Sequence, residues 1–143
     1  MSLQNKVQLP IQIMDRVIQL KKSSLFCDLT AEELLPIAPI LREVKVAPAQ
    51  SVCRMGDEGD RMFLVVSGSL EVHAEDGVIV VAVPGDCVGE ISMLDRGPRT
   101  ANVTALEPST LMEISHEDFV DLLGLYPRLA ARVVEILVSR MSA

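Results

Sequence analysis

Between Leu41 and Ser115 the chain meets a turn signal every few residues, which restricts it to a fold built of short strands. Pro48, Gly56-Asp57-Glu58-Gly59, Gly68, Asp76-Gly77, Pro84-Gly85-Asp86 and Gly97-Pro98 interrupt runs rich in Val, Ile, Leu and Thr. The runs predict strands at Val44–Val46, Ser51–Arg54, Met62–Val66, Ser69–Ala74, Val78–Val83, Asp86–Gly89, Thr100–Leu106 and Thr110–Ile114. Eight short strands so spaced suggest a small β-barrel or jelly roll.

Helical periodicity frames this middle. From Pro10 to Lys22, Ile11, Met14, Val17 and Ile18 recur at helical spacing, with Pro10 suited to a first turn. Thr30-Ala31-Glu32-Glu33 reads as a capping box, and Pro36 and Pro39 predict that the helix it opens is short, kinked or broken. Ser115-His116-Glu117-Asp118 reads as a second capping box, before a helix with Phe119, Leu122 and Leu123 as its buried stripe and Gly124 at its end. Pro127 starts a last helix whose apolar face is Leu129, Val133, Ile136, Leu137 and Met141. The expected class is therefore α+β, mainly β: an eight-stranded β-roll, a jelly-roll-like barrel, flanked by N-terminal helices and two C-terminal helices. Residues 1–24 are read as a tag remnant, Met1-Ser2-Leu3, with an amphipathic helix, and residues 25–143 as the domain.

Composition narrows the function. A net charge of −7 over 143 residues has the wrong sign for coating a nucleic-acid backbone or an anionic membrane. Aromatics are few, so base-stacking platforms are not expected. Three cysteines without C-x-x-C spacing argue against a disulfide framework or a zinc site and for a reducing, cytoplasmic compartment. No apolar run is long enough to span a bilayer. His73 and His116 are too few for a metal-binding barrel, and Gly-x-Ser-x-Gly is absent, so neither a metal nor a catalytic residue is assigned and no enzyme is expected.

The chemistry concentrates in Gly89–Ala101. A glycine permits close backbone approach, Glu90 follows at once, Ile91 and Ser92 offer N–H groups, and Arg99 lies nine positions beyond the carboxylate. These are the parts for gripping a sugar phosphate. Their place between two strands, rather than between a strand and a long helix, excludes a Walker-type site. One arginine in an acidic protein fits a monoanionic phosphate.

Gly89-Glu90 followed by Pro98-Arg99-Thr100-Ala101 resembles the phosphate-binding cassette of cyclic nucleotide-binding domains, as in the catabolite activator protein, protein kinase A regulatory subunits and cyclic nucleotide-gated channels. Gly56-Asp57-Glu58-Gly59 and Met62–Gly68 resemble the family's early hairpin and glycine turn, and the likeness runs from about Leu25 onward. It implies cAMP, or alternatively cGMP, as ligand and no other cofactor. It also implies a binding set of Val88, Gly89, Glu90, Ile91, Ser92, Arg99, Thr100 and Ala101. Arg99 would pair bidentately with phosphate oxygens, Ile91 and Ser92 N–H groups would share that load, Glu90 would accept from the ribose 2′-OH, and Val88 would line the wall. Thr100 is compatible with either base. The last helix would be the lid, with Arg132, Glu135 and Ile136 as candidates to touch the base.

The expected role is a sensor module that passes ligand binding to a fused or partner effector, as a fragment of a transporter, channel or helical-repeat protein; a homodimer is open to it. Two alternatives stand beside it. One is the sensor half of a transcription regulator without its DNA-binding domain. The other is a degenerate domain that keeps the fold without the ligand, with Ser92-Met93 as the departure that could crowd the pocket.

Overall fold

The computed structural model describes residues 3–90 and 96–141. Its element order is α1 (Leu3–Lys22), α2 (Ala31–Leu34), a 3-10 turn (Ala38–Ile40), then β1 (Arg42–Val46), β2 (Ser51–Cys53), β3 (Arg61–Ser67) and β4 (Leu70–Ala74). There follow β5 (Ile79–Ala82), β6 (Cys87–Val88), β7 (Ala101–Ala105), β8 (Ser109–Ser115), α3 (His116–Leu125) and α4 (Pro127–Met141). All eight expected strands form. They make two four-stranded antiparallel sheets, β1-β8-β3-β6 and β2-β7-β4-β5, that face one another as a jelly roll. Both sheets keep open edges, so the roll is not a closed barrel.

The pattern of β3 shows why the sheets stack as they do. Met62 and Leu64 point to the helices, while Phe63 and Val65 point to the opposite sheet, so the strand is apolar on both faces. On the helical side they join Leu20, Phe26, Leu34, Phe119, Val133 and Leu137; between the sheets they meet Leu70, Val103 and Leu111. Each such buried side chain stabilises the fold by roughly 1.5–3 kcal/mol relative to exposure.

The helices depart from expectation in three places. Helix α1 begins at Leu3 and carries Pro10 in its interior, not in its first turn. Its buried face is Ile13, Val17 and Leu20, whereas Met14 and Ile18 are 62% and 47% exposed. Both sets of residues satisfy helical spacing, and only packing against α2 and the 3-10 turn selects between them. Helix α3 continues past Gly124 to Leu125, capped at its start by the Ser115 side chain accepting from Asp118 N–H. The Thr30 capping box is complete, and α2 is only four residues long, ahead of the prolines that forbid its continuation. Ile11 and Met141, expected in the apolar stripes of α1 and α4, lie outside the described side chains.

Candidate functional site

Strand β6 belongs to one sheet and β7 to the other, so the chain between them must cross from sheet to sheet. The stretch read as a phosphate loop is this crossing. Its central residues, Ile91 to Asp95, lie outside the described residues, and with them the expected N–H donors of Ile91 and Ser92.

The end of the crossing that leads into β7 is firmly braced. Arg99 N–H donates to the Asp57 carbonyl at 2.7 Å, and the Arg99 carbonyl accepts from Gly56 N–H at 2.9 Å. Gly59 N–H donates to the Gly97 carbonyl at 2.9 Å, and an Arg96–Glu58 ion pair at 2.7 Å closes the same contact. The β2–β3 loop thus holds the backbone of Arg99, and the Arg99 Nη2 donates to the Arg61 carbonyl at 2.7 Å. The guanidinium passes directly over Gly89, whose φ is +78°; a Cβ there would collide with it and would stand 3.1 Å from the Arg61 carbonyl. Gly89 is required here for both its conformation and its missing side chain.

Val88, Gly89, Glu90, Arg99, Thr100 and Ala101 line one cleft of about 770 Å³, within the size range of small-molecule sites. Its polar end is this group. Its apolar wall is formed by Val72, Val80, Val81 and Val103 of the second sheet. Val80 and Val81 are 55% and 48% exposed, an aliphatic surface left open on edge strand β5.

A residue outside the expected set completes the cleft. Arg140, near the end of α4, reaches the Glu90 carboxylate at 3.4 Å, with both side chains largely covered. Its Nε is buried without a hydrogen-bond partner among the described residues. The polar end therefore carries two guanidiniums, not the single cation expected. The three residues expected to approach the ligand from this helix do not line the cleft. Arg132 pairs with Glu33 at 2.6 Å and donates to the Asp28 carbonyl at 3.1 Å, Glu135 is exposed, and Ile136 packs on the helical core. Fifty residues separate Arg140 from Glu90, and no local pattern marks that pairing. The valine wall did leave a signal: an aliphatic run, Val78–Val83, with no polar face.

Cys87 borders the same cleft. Burial pushes its thiol up to about 12, the neighbouring Glu90 charge adding to the effect and Arg140 opposing it, so the sulfur is held as the thiol.

Residues 43–126 match the family model of the cyclic nucleotide-binding domain, more than half of the chain. The chain belongs to this family. It is 36% identical over 138 residues to the cyclic nucleotide-gated channel alpha-2 of Bos taurus, a match covering 91% of this chain and 21% of the channel. With a cyclic nucleotide-gated cation channel of Ictalurus punctatus it shares 34% identity over 94% of this chain and 21% of that one. Among solved structures, the N-terminal domain of a transcriptional regulator from Streptomyces coelicolor A3(2) is similar in shape. The TM-score is 0.77 at 30% identity, covering 87% of this chain and 90% of the other. The chain thus spans about a fifth of the length of the channels it matches. Among the described residues no helix is long and apolar enough to cross a membrane.

Proposed function

We propose that this domain binds a cyclic nucleotide in the cleft between β6, β7 and α4 and relays its occupancy to an effector in a longer protein. The observation that carries the reading is the convergence of Gly89, Glu90 and Arg99 at one end of a cleft whose other wall is aliphatic. A cyclic nucleotide has the complementary order: one phosphate charge, a ribose hydroxyl and a flat, largely apolar base. The Arg99 guanidinium, already oriented by the Arg61 carbonyl, presents its fork to the phosphate oxygens. Glu90 accepts from the 2′-OH, exchanging Arg140 for the sugar. The base lies against Val72 and Val80, which share one face of the second sheet. Ile91 and Ser92 supply backbone N–H groups to the phosphate, and Thr100 stands at the rim, where it can serve either cAMP, the expected ligand, or cGMP.

Helix α4 is the element through which occupancy leaves the site, because Arg140 ties its end to Glu90 and Arg132 ties its middle to α2 and its lead-in. A ligand that takes Glu90 breaks the first tie and leaves the second. Such a ligand shifts the helix only by its differential affinity for the two arrangements. The names of the relatives support a channel-type effector, and the free thiols of Cys27, Cys53 and Cys87 support a cytoplasmic face. No step of this reading requires catalysis.

The test is a titration of the parent and of Arg99→Ala with cAMP and cGMP, followed by thermal melting and calorimetry. At a concentration of about 100 times Kd the ligand stabilises the parent by about 2.7 kcal/mol, a shift of roughly 5–10 °C. Arg99→Ala remains folded and binds about ten- to hundredfold more weakly, the loss expected for a charge-assisted bidentate contact. A variant that binds as tightly as the parent refutes the assignment. A parent that shifts with neither nucleotide at millimolar concentration is the degenerate domain instead.

A further inference from the structure

Outside the valine-walled cleft, in a neighbouring hollow lined by Arg61, Arg99 and Glu113, lies a second charged group that the cleft itself does not explain. Glu113 is 6% exposed and faces the space between the sheets, in register with Phe63 of β3. A carboxylate so placed needs a compensating partner. It has one in Arg61, whose Nη1 donates to Glu113 Oε1 at 2.9 Å; the Arg61 Nε also approaches Asp60 at 3.5 Å. The charge of Glu113 holds the Arg61 guanidinium above its ordinary value.

Arg61 is the first residue of β3, the position at which a strand frays. It is also the residue whose carbonyl receives Arg99. Beyond the ladder that sets Arg61 opposite Ser115, two contacts secure that strand end: His116 N–H donates to the Asp60 carbonyl at 2.7 Å, and Glu113 grips the Arg61 side chain. We propose that Glu113, acting through Arg61, is a positioning residue that fixes the acceptor orienting the Arg99 guanidinium toward the cleft. The inference rests on the reading of Arg99 as the phosphate-binding group. It adds to that reading a specific source of preorganisation on a neighbouring strand.

Glu113→Gln keeps the side-chain volume and removes the charge. The measurements are the affinity for cAMP by calorimetry and the Nε–Hε NMR signal of Arg99, assigned by its disappearance in Arg99→Ala. Expected are about tenfold weaker binding and an Arg99 signal broadened or moved in the free protein. If the single variant fails to fold, Arg61→Met with Glu113→Leu removes the pair without stranding a buried charge, and the same two results are expected. Parent-like affinity, or an unmoved Arg99 signal with only the melting temperature lowered, overturns the proposal and leaves the cleft reading standing. Undiminished binding by Arg99→Ala overturns both.

Discussion

Gly89 concentrates the constraints of the site in one residue. Read from sequence, it permits close backbone approach; in the structure the space above it is taken by the Arg99 guanidinium, and its φ of +78° lies where a side chain is strained. Gly89→Ala is therefore expected to do two things. Left-handed strain and the clash with Arg99 cost the fold about 1–3 kcal/mol, and the displaced guanidinium weakens cyclic nucleotide binding. Melting temperature and calorimetric affinity check the two effects separately. An alanine variant with unchanged affinity would mean that the guanidinium has another productive seat. That Gly89, Glu90 and Arg99 meet in one cleft was legible because they are near neighbours in sequence and each offers a particular chemistry. Arg61 and Glu113 were not, since one contributes a carbonyl that every residue has, and the other appears as a single charge in the strand Ser109–Ser115.

At the scale of elements, the turn glycines and prolines located the strands, and the helices were harder to read. Helix α1 has apolar residues on more than one face, so spacing alone admits both Met14 with Ile18 and Ile13 with Leu20. For α3, a glycine near the end of an apolar stripe is a reasonable stop signal. The chain nevertheless continues helical through Gly124, which has no left-handed φ, and a Cβ there would meet nothing within 4 Å. Gly124 therefore contributes backbone entropy to the unfolded state and gives the folded helix no return. Gly124→Ala is expected to raise stability by about 0.5–1 kcal/mol without changing ligand affinity. Urea denaturation measures it, and a loss of stability would place Gly124 at a cap after all.

For the whole molecule, the jelly roll was legible because each strand is short and bounded by its own turn chemistry, while α4's grip on the cleft depends on how the last helix folds back over the roll. That packing also sets a property of the domain as a whole, its response to alkali. Burial raises the thiols of both Cys53 and Cys87, the latter from 9.0 to about 12. A group whose folded value is raised contributes stability that is fully present below its unfolded value. Between about 9 and 12 the unfolded chain releases the Cys87 proton while the folded chain retains it, so stability declines with rising pH through that window. By about pH 10.5 this one thiol accounts for a loss of up to about 2 kcal/mol. The comparison that isolates it is the urea midpoint of parent and Cys87→Ala at about pH 8 and pH 10.5. Lysine and tyrosine titrations are common to both proteins, so the parent should lose more stability than the variant over the interval. Equal losses would show that the Cys87 sulfur is hydrated enough to ionise in the folded domain, and the cleft beside Glu90 and Arg140 would then be wetter than its packing implies.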